Sequence, residues 1–136
     1  MNIKVDKKKP ACVTGANGFI ASWLVKKLVE EGVTVHATVR DIKDVTKTDH
    51  LKKISKGGPG KVVLFESNLL IENSFSKAME NCSIVFHTAS PFIVDVKKLK
   101  SAKKDLFEPA VEGTKNVVNS VNMTKSIKRV VLTSSC

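Results

Sequence analysis

Apolar residues along this chain fall in blocks, and the spacing within the blocks changes. Ala11, Cys12 and Val13 form a short apolar run, followed by Gly15 and Gly18. From Phe19 to Val29, Trp23, Leu24, Leu28 and Val29 then recur at helical spacing. This pattern predicts strand, glycine turn and helix, with Gly32 ending the helix. A β-branched run from Val33 to Val39 predicts a second strand, which closes a βαβ unit of about 30 residues.

The alternation continues. A short helix is expected over Leu51 to Ile54, and Gly57-Gly58-Pro59-Gly60 reads as a loop. Lys61 to Phe65 predicts a third strand, Ser74, Phe75, Ala78 and Met79 a helix, and Ser83 to Thr88 a fourth strand. Residues 91–104 form a lysine-rich connection with little pattern. A long amphipathic helix is expected from Asp105, carrying Leu106, Ala110, Val111, Val117, Val118 and Val121, with Pro109 marking a kink or a late first turn. Arg129 to Leu132 predicts a fifth strand. Strands alternating with helices imply an α/β domain: a Rossmann-type doubly wound parallel sheet of about five strands, order 3-2-1-4-5. Residues 1–9 read as a flexible basic tail and 10–136 as one domain, expected to stop before a sixth strand and to lack a substrate lobe. In that order the fifth strand, with Val130, Val131 and Leu132, is an open edge that invites self-association.

The glycine turn is the strongest chemical signal. Gly15 lets the chain turn sharply out of the strand, Gly18 removes a side chain where backbone would approach a phosphate, and small Ala21 lets the helix lie close on the sheet. The free N–H groups and positive dipole end of the following helix suit a pyrophosphate. Gly15, Asn17, Gly18, Phe19 and Ile20 are therefore candidate cofactor-binding residues. The Gly-Lys-Ser/Thr of a nucleoside-triphosphate loop is absent. At the end of the second strand stand Val39 and then Arg40, with no carboxylate to repel a 2′-phosphate. An arginine–phosphate pair there would favour NADP(H) over NAD(H) by about 1.5 to 3 kcal/mol. The alternative for Arg40 is a surface pair with Asp41 or Asp44.

Val13 to Trp23, the following Leu24-Val25-Lys26-Lys27-Leu28, and Thr38-Val39-Arg40-Asp41 resemble the start of the extended short-chain dehydrogenases/reductases. The nearest branch is that of dihydroflavonol, anthocyanidin and cinnamoyl-CoA reductases. The resemblance runs from Pro10 onward and covers the first half of such an enzyme. It implies that Arg40 and Lys47 contact the 2′-phosphate, with His50-Leu51 matching the family's His-Leu. It implies further that Asn68 and Leu69 stand where the family's Asp-Leu holds the adenine. Asn68 departs from that pattern, and its amide oxygen is expected to accept from the adenine amino group without the charge. Phe86-His87-Thr88-Ala89-Ser90-Pro91 matches the segment passing the nicotinamide ribose, so Thr88, Ala89 and Ser90 are further cofactor-binding candidates. His87 itself, inside an apolar strand, reads as a hydrogen-bonded core residue rather than an acid or base. Glu112-Gly113-Thr114 with Asn116-Val117 also matches, its glycine implying close helix-to-sheet packing. In Thr133-Ser134-Ser135, the resemblance makes Ser135 the serine that orients the substrate carbonyl. The family's proton donor is a tyrosine in a Tyr-x-x-x-Lys helix.

Composition changes this picture at two points. These 136 residues contain no tyrosine, so the general acid cannot come from within them. The net charge of +10, from 23 basic and 13 acidic residues, raises nucleic acid as a partner, but the excess is dispersed lysine, with two arginines and one tryptophan. It reads as a solvated surface rather than a base-reading one. Three cysteines, Cys12, Cys82 and Cys136, lack metal or disulfide spacing and read as reduced thiols. No apolar run approaches a membrane span, and the polar start is no signal peptide, so a cytoplasmic location is expected. The function implied is the cofactor-binding half of an NADPH-dependent reductase acting on a small carbonyl substrate, inactive as this chain. The alternative is a non-catalytic NADP-sensing protein on the same fold.

Overall fold

A computed structural model describes residues 5–90 and 103–134. The elements, in order, are β1 (Ala11–Thr14), α1 (Phe19–Glu30), β2 (Thr34–Val39), α2 (Val45–Ser55), β3 (Lys61–Glu66), α3 (Ser76–Met79), β4 (Ile84–His87), α4 (Glu108–Asn122) and β5 (Arg129–Leu132). A π-helical turn over Lys103–Phe107 leads into α4. All neighbouring strands are parallel, in the order β3-β2-β1-β4-β5. This is the Rossmann-type α/β sheet expected from the sequence.

β1 lies at the centre and is buried along its whole length, as an apolar strand flanked on both sides must be. Each face of the sheet carries its own core. On one face, Val13, Val35 and Ala37 pack with Ala21, Val25, Leu28 and Val29 of α1 and Leu51 of α2. On the other, Cys12 and Val85 pack with Phe75, Ala78 and Met79 around α3 and with Val117 of α4. The ring of His36 lies on Phe65 at 4.8 Å, and its Nδ1–H donates to the Ala78 carbonyl at 2.8 Å, tying β2 to α3.

Several expected details differ. Trp23 is 56% exposed, because α1 turns its small residues, Ala21 and Val25, to the sheet. The Lys26 ammonium sits 5.0 Å from the Trp23 ring instead. α2 begins six residues earlier than Leu51, since the Asp44 carboxylate accepts from the Thr46 N–H at 3.1 Å and starts the helix there. Pro109 falls in the first turn of α4, where its missing N–H costs nothing. Val118 faces solvent; the buried positions of α4 are Gly113, Val117 and Ser120. A Cβ on Gly113 would come within 3.0 Å of Leu69, so this glycine admits the segment after β3 rather than the sheet.

β5 is the edge. Val130 and Leu132 are 40% and 57% exposed, and only Val131 turns into the core. Cys12 and Cys82 are buried and free; Cys136 and residues 1–4 and 91–102 lie outside the described residues. Among the described residues no helix is long and apolar enough to cross a membrane.

Candidate cofactor site

The glycine turn sits where β1 leaves the sheet, and three neighbours fix it. Gly15 has φ +61°, a conformation open to glycine, and a Cβ there would lie 2.9 Å from the Ala89 backbone. The segment after β4 therefore closes directly on the turn. From β2, Thr38 reaches across: its hydroxyl accepts from the Gly15 N–H at 3.2 Å and its carbonyl from the Ala16 N–H at 2.9 Å. Inside the turn, the Gly18 N–H donates to the Gly15 carbonyl at 3.0 Å.

Gly18 is the N-cap of α1, and no side chain caps the helix. The N–H groups of its first turn have no intrahelical acceptor, and no acidic side chain stands in that turn to compete for them. A rigid turn thus delivers unsatisfied donors and the positive end of a dipole to one exposed spot. Phe19 and Ile20 flank it, 82% and 65% exposed. Asn17 is half-buried beside them.

Thr38 lies two residues before Arg40, so the bonds that hold the turn also hold the tip of β2 beside it. Arg40 is exposed and makes no ion pair among the described residues, which removes the alternative pairing with Asp41 or Asp44. Asp44 is used otherwise. It caps α2 and stands 4.0 Å from the Lys47 ammonium. The hydrogen bond from the Thr46 hydroxyl, ahead of the backbone bonds and Lys47, holds its carboxyl below the usual range. Lys47 is exposed on the first turns of α2.

Thr14 is the hub between β1 and β4, a role its sequence did not announce. Its buried hydroxyl accepts from the Thr88 and Ala89 N–H groups, each at 3.1 Å. Both lone pairs are then spent, so its single proton goes to His87 Nδ1 at 2.7 Å. His87 is accordingly a neutral acceptor carrying its own proton on Nε2, and burial pushes its pKa below the ordinary 6.5. It is a hydrogen-bonded core residue, 4% exposed, as its place in an apolar strand predicts. The Thr88 hydroxyl donates back to the Thr14 carbonyl. This lattice places Thr88, Ala89 and exposed Ser90 next to the glycine turn.

Asn68 is tied to its neighbours. Its amide oxygen accepts from the Leu70 N–H at 2.9 Å, which closes a local turn and holds the side chain in place, with a second lone pair left on that oxygen. The Ser74 hydroxyl accepts from the Asn68 N–H at 3.0 Å and donates to its carbonyl at 2.7 Å. Leu69 packs against the α3–α4 core, and its carbonyl accepts from Asn116 at 2.6 Å. Both residues hold the segment after β3 in place. Ser135 lies outside the described residues.

Both thiols are buried, which disfavours their thiolates. Burial pushes Cys82 up to about 12, and burial first, then neighbouring Cys82, raises Cys12.

The fold and this turn define a Rossmann-type α/β protein with an anion-binding geometry at the tip of β1. The chain belongs to the 3-beta hydroxysteroid dehydrogenase/isomerase family, which matches residues 12–136. It is similar to cinnamoyl-CoA reductase CAD2 of Medicago truncatula, 52% identical over 124 residues, which make up 91% of this chain and 37% of that one. It is likewise similar to a putative anthocyanidin reductase of Ginkgo biloba, 48% identical, covering 91% of this chain and 35% of the relative. These bear out the reductase branch. Gre2 of Candida albicans, solved in complex with NADPH, is 33% identical with a TM-score of 0.76, covering 93% of this chain and 37% of that structure. The chain thus spans about a third of the length of these relatives, not the half expected.

Proposed function

We propose that this chain is the cofactor-binding part of an NADPH-dependent reductase that transfers hydride to a small carbonyl substrate. The observation that carries the reading is the joint fixation of the glycine turn and the β2 tip by Thr38, which ties uncapped helix donors to the strand end that carries Arg40, a guanidinium with no ion pair among the described residues. The first suits a pyrophosphate, the second a 2′-phosphate. The bound NADPH of Gre2 and the reductase names of the relatives support the same cofactor and chemistry. NADPH supplies the hydride. Gly15, Gly18 and the first turn of α1 hold its diphosphate, and Arg40 with Lys47 takes the 2′-phosphate. Thr88, Ala89 and Ser90 line its passage toward the nicotinamide. Ser135 orients the carbonyl.

These 136 residues hold no tyrosine to protonate the nascent alkoxide. Losing a positioned general acid costs about 10² to 10⁴ in rate, so the chain assayed by itself should bind cofactor and reduce substrate at least that much more slowly than an enzyme that has one. The test is fluorescence titration of the purified chain with NADPH and NADH, followed by an aldehyde-reduction assay. Saturable NADPH binding with little or no turnover is expected. Arg40→Ala should weaken NADPH about ten- to a hundredfold and leave NADH nearly unchanged. Indifference of a folded sample to NADPH, or an Arg40→Ala variant of unaltered selectivity, overturns the assignment.

A further inference from the structure

Two polar side chains from different helices meet next to the glycine turn. Ser22 Oγ, on α1, and His50 Nε2, on α2, lie 3.0 Å apart, both half-buried. The same hydroxyl is 2.7 Å from the Gly18 carbonyl oxygen and 3.2 Å from that of Ala16. A hydroxyl has one proton, and carbonyls can only accept. The Ser22 proton therefore goes to the turn, and His50 donates from Nε2 to the Ser22 oxygen. A chain of donors runs from α2 through Ser22 into the backbone of the glycine turn.

Apolar packing alone does not account for this contact. α1 and α2 already meet through Val25, Leu28, Val29 and fully buried Leu51, with Ile54 against them. Those residues fix how closely the helices pack, and an apolar contact tolerates sliding. A hydrogen bond has a direction and a length, and this one sits at the end of α1 that borders the turn. On α2, Lys47 lies three residues before His50, one helical turn away on the same side.

We propose that His50 is a positioning residue for cofactor selectivity. Through Ser22 it sets the register of α2 against the glycine turn, so that Lys47 and Arg40 converge on the 2′-phosphate while the turn holds the diphosphate. The inference rests on the NADP(H) reading above and adds to it a residue that touches no cofactor atom.

Titrations with NADPH and NADH on the purified chain test it. His50→Ala should weaken NADPH about two- to tenfold and change NADH less than about twofold, because one hydrogen bond of ordinary strength is lost. His50→Gln, whose amide can donate to Ser22, should restore much of the selectivity. In a Lys47→Ala background, His50→Ala should add little, since both act on the same phosphate. If His50→Ala folds poorly, His50→Asn, polar but too short to reach Ser22, provides the same readout. Equal weakening of both cofactors, no change in either, or full additivity with Lys47→Ala overturns the inference while leaving the cofactor reading intact. Absence of NADPH binding by the unsubstituted chain overturns both.

Discussion

β1 divides the sheet into two flanks built to different standards. Toward β2 and β3, the β2 residues Val35, Ala37, Thr38 and Val39 are buried, β3 is half-buried between its exposed ends Lys61 and Glu66, α1 and α2 cover one face, and Thr38 ties the backbone of the turn to the neighbouring strand. Toward β5, three of four strand residues are exposed and two of them are large and apolar. The glycine turn, Arg40 and Lys47 sit over or beside the first flank, where the backbone is held from several sides, while Thr88, Ala89 and Ser90 close on the turn from the second. Donors aimed at a fixed anion gain from rigidity, since a mobile turn would have to be ordered on binding. The second flank ends in β5, whose edge carries exposed Val130 and Leu132, and the relatives are about three times as long as this chain.

The contrast can be broken most forcefully at the turn. Gly15→Ala forces a side chain into a left-handed conformation against the Ala89 backbone, and should cost about 2 to 4 kcal/mol in urea unfolding. A variant as stable as its parent would show that the turn is free to move. Next comes Thr14→Val, which leaves the Thr88 and Ala89 N–H groups without their acceptor and His87 without its donor. It should destabilise by about 1 to 3 kcal/mol in the same assay.

The His87 contribution has a sign that pH can check. Its folded pKa lies below the unfolded value near 6.5, so the unfolded chain takes up the proton first as pH falls. Stability from this residue is therefore complete above that value and is lost as pH drops through it toward the folded pKa. Unfolding free energies measured between about pH 7.5 and 5.5 should fall more steeply for the parent than for His87→Asn. Parallel slopes would remove His87 from the account. The smallest stability effect, within about 0.5 kcal/mol, is expected for Leu132→Lys on the open edge. Its readout is association: light scattering should show the parent self-associating with concentration and the variant monomeric. A parent that stays monomeric at high concentration would show that the edge is harmless.

Strand order and the glycine turn were legible because they rest on local rules: apolar runs of strand length, glycine at the turn, helical spacing between. What stayed hidden depends on partners far along the chain. Trp23 looked like core by its spacing, yet the face of α1 was decided by which side chains are small enough to lie on the sheet. α2 was read too short because its polar sequence shows few apolar positions, whereas the signal was Asp44 as a cap. Thr14, Thr38 and Ser22 carry the geometry of the site, but in sequence a threonine in a strand is merely β-branched. The amide of Asn68 reads in sequence as an acceptor, but its bond from the Leu70 N–H, which fixes that side chain, depends on a turn the sequence does not announce. For Arg40 the sequence shows that the end of β2 is Val39 and not a carboxylate, while its lack of an ion pair with Asp41 or Asp44 is seen only in the structure.

The central position of β1 has a consequence for how the chain comes into being. Its first flank closes early, when β2 returns alongside it, but its second waits for β4, and the Thr14–His87 contact spans 73 residues. On a ribosome, that edge stays naked until the fourth strand has emerged, with an almost wholly apolar strand exposed for the interval. Nascent chains of this design therefore fold slowly and late, and are the kind of client that a chaperone meets before the protein is finished.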